Sequence, residues 1–151
     1  MSTQINPAAQ KVLEETFIDR PIAAQLGFDA EDLGGAVKLA QTRLAEGRDI
    51  EAFQMFCGLV LIDPTHMDFQ LGLAESALAA GAPEMALQSA ALVISQHPDW
   101  PQGYFLSGRA CLALGDTAAA AEDFADAIAH AGSAHPDIAA QAQRLMALCQ
   151  S

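Results

Sequence analysis

Residues 67–100 read MDFQLGLAESALAAGAPEMALQSAALVISQHPDW. In the first half Leu71, Ala74 and Leu78 recur at intervals of three and four residues, the signature of one face of a helix. In the second half Leu87, Ala90, Val93 and Ile94 do the same. Gly81 lies between them, where a tight helix-to-helix turn needs a positive φ that costs glycine little. Pro98 closes the second helix, because its ring cannot continue the hydrogen-bond ladder. The stretch is therefore a helix, a turn and a second helix.

The same markers recur 34 residues upstream and downstream. Gly47, Gly81 and Gly115 form one set, Ala52, Ala86 and Ala120 a second, and Pro64, Pro98 and Gly132 a third. With Leu33, Met67 and Pro101 as first positions, small residues fall at position eight: Ala40, Ala74 and Gly108. Position twenty-four holds Phe56, Ala90 and Phe124, where an aromatic fills the space between one repeat and the next. Val37, Leu39, Ala40 and Leu44 form the stripe of the first A helix, and Phe105, Gly108 and Leu112 that of the third. Phe53, Phe56 and Val60, then Ala121, Phe124 and Ile128, serve the flanking B helices. A 34-residue helix–turn–helix period resembles the tetratricopeptide repeat, whose copies stack into a solenoid. The expectation is an all-α tetratricopeptide-repeat α-solenoid with three repeats over 33–132.

An N-terminal helical extension, 1–32, precedes the repeats. Asn6 and Pro7 suit a helix start, Ala9, Val12, Leu13, Thr16 and Phe17 share one face, and Pro21 breaks it. Ile22, Leu26 and Phe28 carry the apolar character onward. Val12, Leu13, Phe17, Ile22 and Leu26 need cover, either from a second copy or from the first repeat; the second copy is favoured, which makes them the candidate homodimerisation stripe. Residues 133–151 supply a C-terminal capping helix, about 136–149, with the stripe Ile138, Ala142, Leu145 and Cys149.

Seven Lys and Arg stand against nineteen Asp and Glu, a formal charge of −12. Nucleic acid and anionic membranes select basic surfaces, so neither is an expected partner. No basic leader followed by an apolar run is visible, which points to a cytoplasmic protein. Cys57, Cys111 and Cys149 are odd in number and scattered, as reduced thiols would be.

No nucleophile–base pair, glycine-rich phosphate loop or Cys-x-x-Cys motif is present, so no catalytic residue, cofactor or metal ligand is assigned. Asp63, Asp68 and Glu75 have no second element that would set them around a substrate. His66 and His97 fall in inter-repeat turns, and His130 and His135 flank a helix break. All four read as helix-end residues satisfying terminal carbonyls.

The concave surface carries the functional expectation. It is lined by A-helix positions two, five, nine and twelve. These are Val37, Gln41 and Leu44; then Asp68, Leu71, Glu75 and Leu78; then Gln102, Phe105, Arg109 and Leu112. Apolar side chains alternating with hydrogen-bonding ones suit an extended peptide, whose backbone needs polar partners and whose side chains need burial. Arg109 is the one strong cation of this set, with Asp68 and Glu75 opposing, so a clamp for a peptide carboxylate is not expected.

Phe56, then Asp63, then Phe69 and the run Leu71-Gly72-Leu73-Ala74-Glu75 resemble a stretch found in the class II chaperones of bacterial type III secretion. The layout of extension, three repeats and closing helix is similar across most of the chain. The resemblance implies a cytosolic bacterial chaperone, not an enzyme, that keeps a secreted translocator protein soluble. It also implies dimerisation through the N-terminal region. A general repeat scaffold or adaptor bridging soluble proteins is the alternative.

Overall fold

The computed structural model describes residues 26–149. Its helices are α1 (Ala30–Ala45), α2 (Asp49–Ile62), α3 (Met67–Ala79), α4 (Pro83–Gln96), α5 (Pro101–Ala113), α6 (Thr117–Ala131) and α7 (Pro136–Leu148). No strand occurs among the described residues. Residues 1–25, with Val12, Leu13, Phe17 and Ile22, lie outside them.

The three turn glycines take φ of 73°, 79° and 84° at Gly47, Gly81 and Gly115. Each ends its A helix in the same way. The N–H of the next residue reaches back five positions: Arg48 to Arg43 O at 2.9 Å, Ala82 to Ala77 O at 2.8 Å, and Asp116 to Cys111 O at 2.9 Å. The glycine N–H bonds a carbonyl three positions back in every case. This is the Schellman arrangement, which satisfies carbonyls the helix leaves open. Helix starts are set by proline in the first turn at Pro83, Pro101 and Pro136.

Each helix packs on the next, and α1 also meets α3, α3 meets α5, and α5 meets α7. The odd-numbered helices therefore form one continuous layer. The even-numbered helices stand outside it. Close approach at each A–B pair is allowed by small residues: Ala40, Ala52, Ala74, Ala86 and Ala120 are fully buried. Phe56 packs with Ala40, Leu59, Phe69 and Leu73, joining the first repeat to the second. Phe124 packs with Cys111, Ala127 and Ala142, joining the third repeat to α7.

The structure departs from the sequence expectation in three places. The first A helix begins at Ala30, ahead of Leu33, because Asp29 and Asp32 form a capping box: Asp32 N–H donates to Asp29 Oδ1 at 2.8 Å and Asp29 N–H to Asp32 Oδ2 at 3.1 Å. Leu39 is exposed and does not belong to the α1 stripe. The histidines do not act chiefly as carbonyl donors. His66 stacks on Phe69 and His97 on Trp100, both with ring centroids 4.0 Å apart, and His130 stacks on Tyr104 at 4.9 Å.

A further repeated contact closes the inter-repeat turns. Gln70 Nε2 donates to Pro64 O at 2.7 Å, and Tyr104 Oη donates to Pro98 O at 2.9 Å. Both donors sit at the fourth position of their repeat, and both acceptors are the closing prolines.

Candidate functional site

The A helices present their equivalent faces to one groove. From α1 it receives Val37, Gln41 and Leu44; from α3, Asp68, Leu71 and Glu75; from α5, Gln102, Phe105 and Arg109. Its volume is about 290 Å3. Thus nine of the eleven residues expected on the concave surface line a single depression. The other two, Leu78 and Leu112, line an adjoining hollow with Arg109 and Leu145 of α7. Arg109 borders both, so the surface continues from α1 to the capping helix.

The alternation expected from the sequence is present in the burial pattern. Val37, Leu44, Leu71 and Phe105 are half-buried, while Gln41, Asp68 and Glu75 are exposed. Half-buried apolar groups are held by the helix packing beneath yet keep one face open to a ligand. The guanidinium of Arg109 lies over the Phe105 ring, 5.7 Å from its centroid, which fixes the cation on the α5 wall.

The floor was not anticipated. Phe56 and Gly72 line the groove, together with Leu106. Phe56 belongs to a B helix and reaches the groove only because Gly72 has no side chain: a Cβ at Gly72 would run into the Phe56 ring. A glycine inside a helix, which costs about 1 kcal/mol against alanine, was the available signal.

Asp63 does not join the groove carboxylates. Its Oδ1 accepts from Thr65 N–H at 3.0 Å and Thr65 Oγ at 2.8 Å, ordering the turn between the first and second repeats. Cys111 and Asp123 form a separate polar contact between α5 and α6. Ser107 Oγ donates to Asp123 Oδ2 at 2.7 Å and Cys111 Sγ lies 3.7 Å from the same oxygen. Burial, and then the Asp123 charge, pushes the Cys111 thiol up, so it stays protonated and unreactive. Among the described residues no group of three or more His, Cys, Asp or Glu is arranged to hold a metal. No described helix is long and apolar enough to cross a membrane.

No protein-family model matches the chain, and no curated protein matches it. Solved structures do. A type III secretion complex from Aeromonas hydrophila matches over 96% of this chain and 96% of its own, with a TM-score of 0.80 and 22% identity. PcrH of Pseudomonas aeruginosa, solved with the chaperone binding region of PopD, matches over 82% of this chain and 95% of its own, with a TM-score of 0.75 and 26% identity. This chain has the translocator-chaperone fold. The Yersinia enterocolitica translocator chaperone SycD, in its alternative dimer, matches over 81% of this chain and 94% of its own at a TM-score of 0.73. Its identity is 18%, and that likeness concerns the fold alone. The translocator-chaperone fold is the one that the Phe56–Glu75 stretch implied.

Proposed function

We propose that this chain is a non-catalytic chaperone of the bacterial cytoplasm that holds an extended segment of a type III translocator protein in the groove across α1, α3 and α5. The observation that carries the reading is the groove itself, in which half-buried apolar side chains alternate with polar ones. PcrH, 26% identical, was solved with the chaperone binding region of PopD, which favours this reading over that of a general adaptor. The same reading makes the chain a homodimer through Val12, Leu13, Phe17, Ile22 and Leu26. Leu26 is exposed and the others lie outside the described residues.

Each client side chain buried in the groove contributes about 1.5–3 kcal/mol. Ordering a disordered segment offsets much of that, so micromolar affinity is expected. The test is co-expression with a type III translocator protein. Wild type should retain the client in the soluble fraction at fixed stoichiometry. Leu71→Asp with Phe105→Asp places an unpaired charge in each apolar position and should abolish the complex, provided circular dichroism shows the variant folded. A folded double variant that holds the client at unchanged affinity overturns the reading.

A further inference from the structure

Along α3 the groove face reads Asp68, Leu71, Gly72, Glu75. Asp68 and Glu75 are seven residues apart, two turns, which sets their α-carbons roughly 10 Å apart along the helix. A chain laid across α3 over Leu71 and Gly72 passes between these two carboxylates. Beneath its path lie Leu71, the bare backbone of Gly72 and the Phe56 floor.

Both carboxylates are exposed, and no ion pair among the described residues uses them. The described ion pairs tie Arg43 and Arg48 to Glu46 and Glu51 at the α1–α2 turn instead. The cation of the groove, Arg109, is held on the opposite wall over Phe105. The groove is therefore asymmetric in charge: acidic where the chain crosses α3, basic on the α5 wall. The body around it has a formal charge of −12, so its field draws basic segments toward either end.

We propose that the groove selects client segments in which an apolar side chain is accompanied, one or two positions away, by a lysine or arginine. The apolar group enters over Leu71 and Phe56, and the cation pairs with Asp68 or Glu75. Arg109 repels that cation from the α5 wall and so fixes which way round the segment lies. This rests on the groove reading above and adds the chemistry of the partner to it.

The test uses short synthetic peptides that differ only in the residues flanking a central leucine: lysine, glutamine or glutamate. At low salt the lysine peptide should bind wild type about fivefold more tightly than the glutamate peptide, the size expected of exposed charge pairs. The difference should collapse near 1 M salt, where the screening length is about 3 Å. Asp68→Lys with Glu75→Lys alters exposed positions only and should reverse the order. Equal affinity of wild type for the lysine and glutamate peptides overturns the charge selection, and leaves the groove reading standing if Leu71→Asp with Phe105→Asp abolishes their binding. An order that persists in the reversed-charge variant places the selection elsewhere and overturns it too. Failure of all three peptides to bind removes the groove reading along with it.

Discussion

Gly72 has two opposing effects on stability. As a residue inside a helix it costs about 1 kcal/mol relative to alanine. As a contact it admits the Phe56 ring, which a Cβ would strike. Phe56 is fully buried among Ala40, Leu59, Phe69 and Leu73, so moving its ring disturbs that cluster and the steric effect wins. Gly72→Ala should destabilise the fold by about 1–3 kcal/mol, the usual cost of overpacking. Thermal melts followed by circular dichroism would show it, and adding Phe56→Leu should recover part of the loss. A higher melting temperature for the alanine variant alone would mean that propensity outweighs packing here. Asp123 makes a second residue-scale prediction. Burial, together with the nearby Asp126 and Glu122 charges, raises its carboxyl pKa, although hydrogen bonds from Ser107 and Cys111 pull it the other way. The folded state then binds this proton more readily than the unfolded chain. Stability contributed by the group therefore falls as pH rises through the carboxylate range, and returns on acidification. Asp123→Asn keeps an acceptor for Ser107 and removes the titration. The variant should be at least as stable at neutral pH, with a flatter dependence of Tm on pH. An unchanged slope would show that other carboxylates account for it.

An element here is a helix pair closed by one glycine and wedged by one alanine. Gly81 at φ 79° would force alanine into the left-handed region, and Ala86 is fully buried where α3 meets α4. Gly81→Ala should cost about 1 kcal/mol and Ala86→Leu about 1–3 kcal/mol. Chemical denaturation that ranks the two in the opposite order would contradict this account of the turn and the wedge. Such positions were legible because the requirement is absolute: only glycine suits the turn and only small side chains suit the contact. Other features escaped the sequence because they have no fixed residue type. Gln70 and Tyr104 make the same hydrogen bond to Pro64 and Pro98, yet an amide and a phenol share no pattern a periodicity search would find. The start of α1 obeys the local Asp29–Asp32 box and not the 34-residue register. Leu39 was misplaced because no earlier described helix packs on α1 to bury it. In the groove the A-helix positions followed from repeat geometry, whereas Phe56, from a B helix, becomes a floor residue only through the gap at Gly72.

As a whole molecule the solenoid has two ends that are treated differently. A repeat face buries itself only against a neighbour, so each end needs a cover. At the C-terminal end α7 supplies it, setting Ala142 and Leu145 against the cluster around Phe124. At the other end, among the described residues, Phe28, Leu33, Ala36, Met55 and Ile62 line a depression of about 440 Å3, and Leu26 is 61% exposed. The N-terminal stripe of Val12, Leu13, Phe17 and Ile22 leads directly into this end in sequence. Apolar surface on both the stripe and the depression favours association of two copies, opposed by the repulsion of two bodies each carrying −12. Buried apolar contact is insensitive to screening while the repulsion is not, so added salt should strengthen the dimer. Light scattering should find a dimer for the intact chain at micromolar concentration, shifting further toward dimer as salt rises. A variant lacking residues 1–25 should be a folded monomer with the groove intact. An intact chain that stays monomeric at every concentration and salt would remove the dimer reading, and would leave the stripe to cover the first repeat of its own chain.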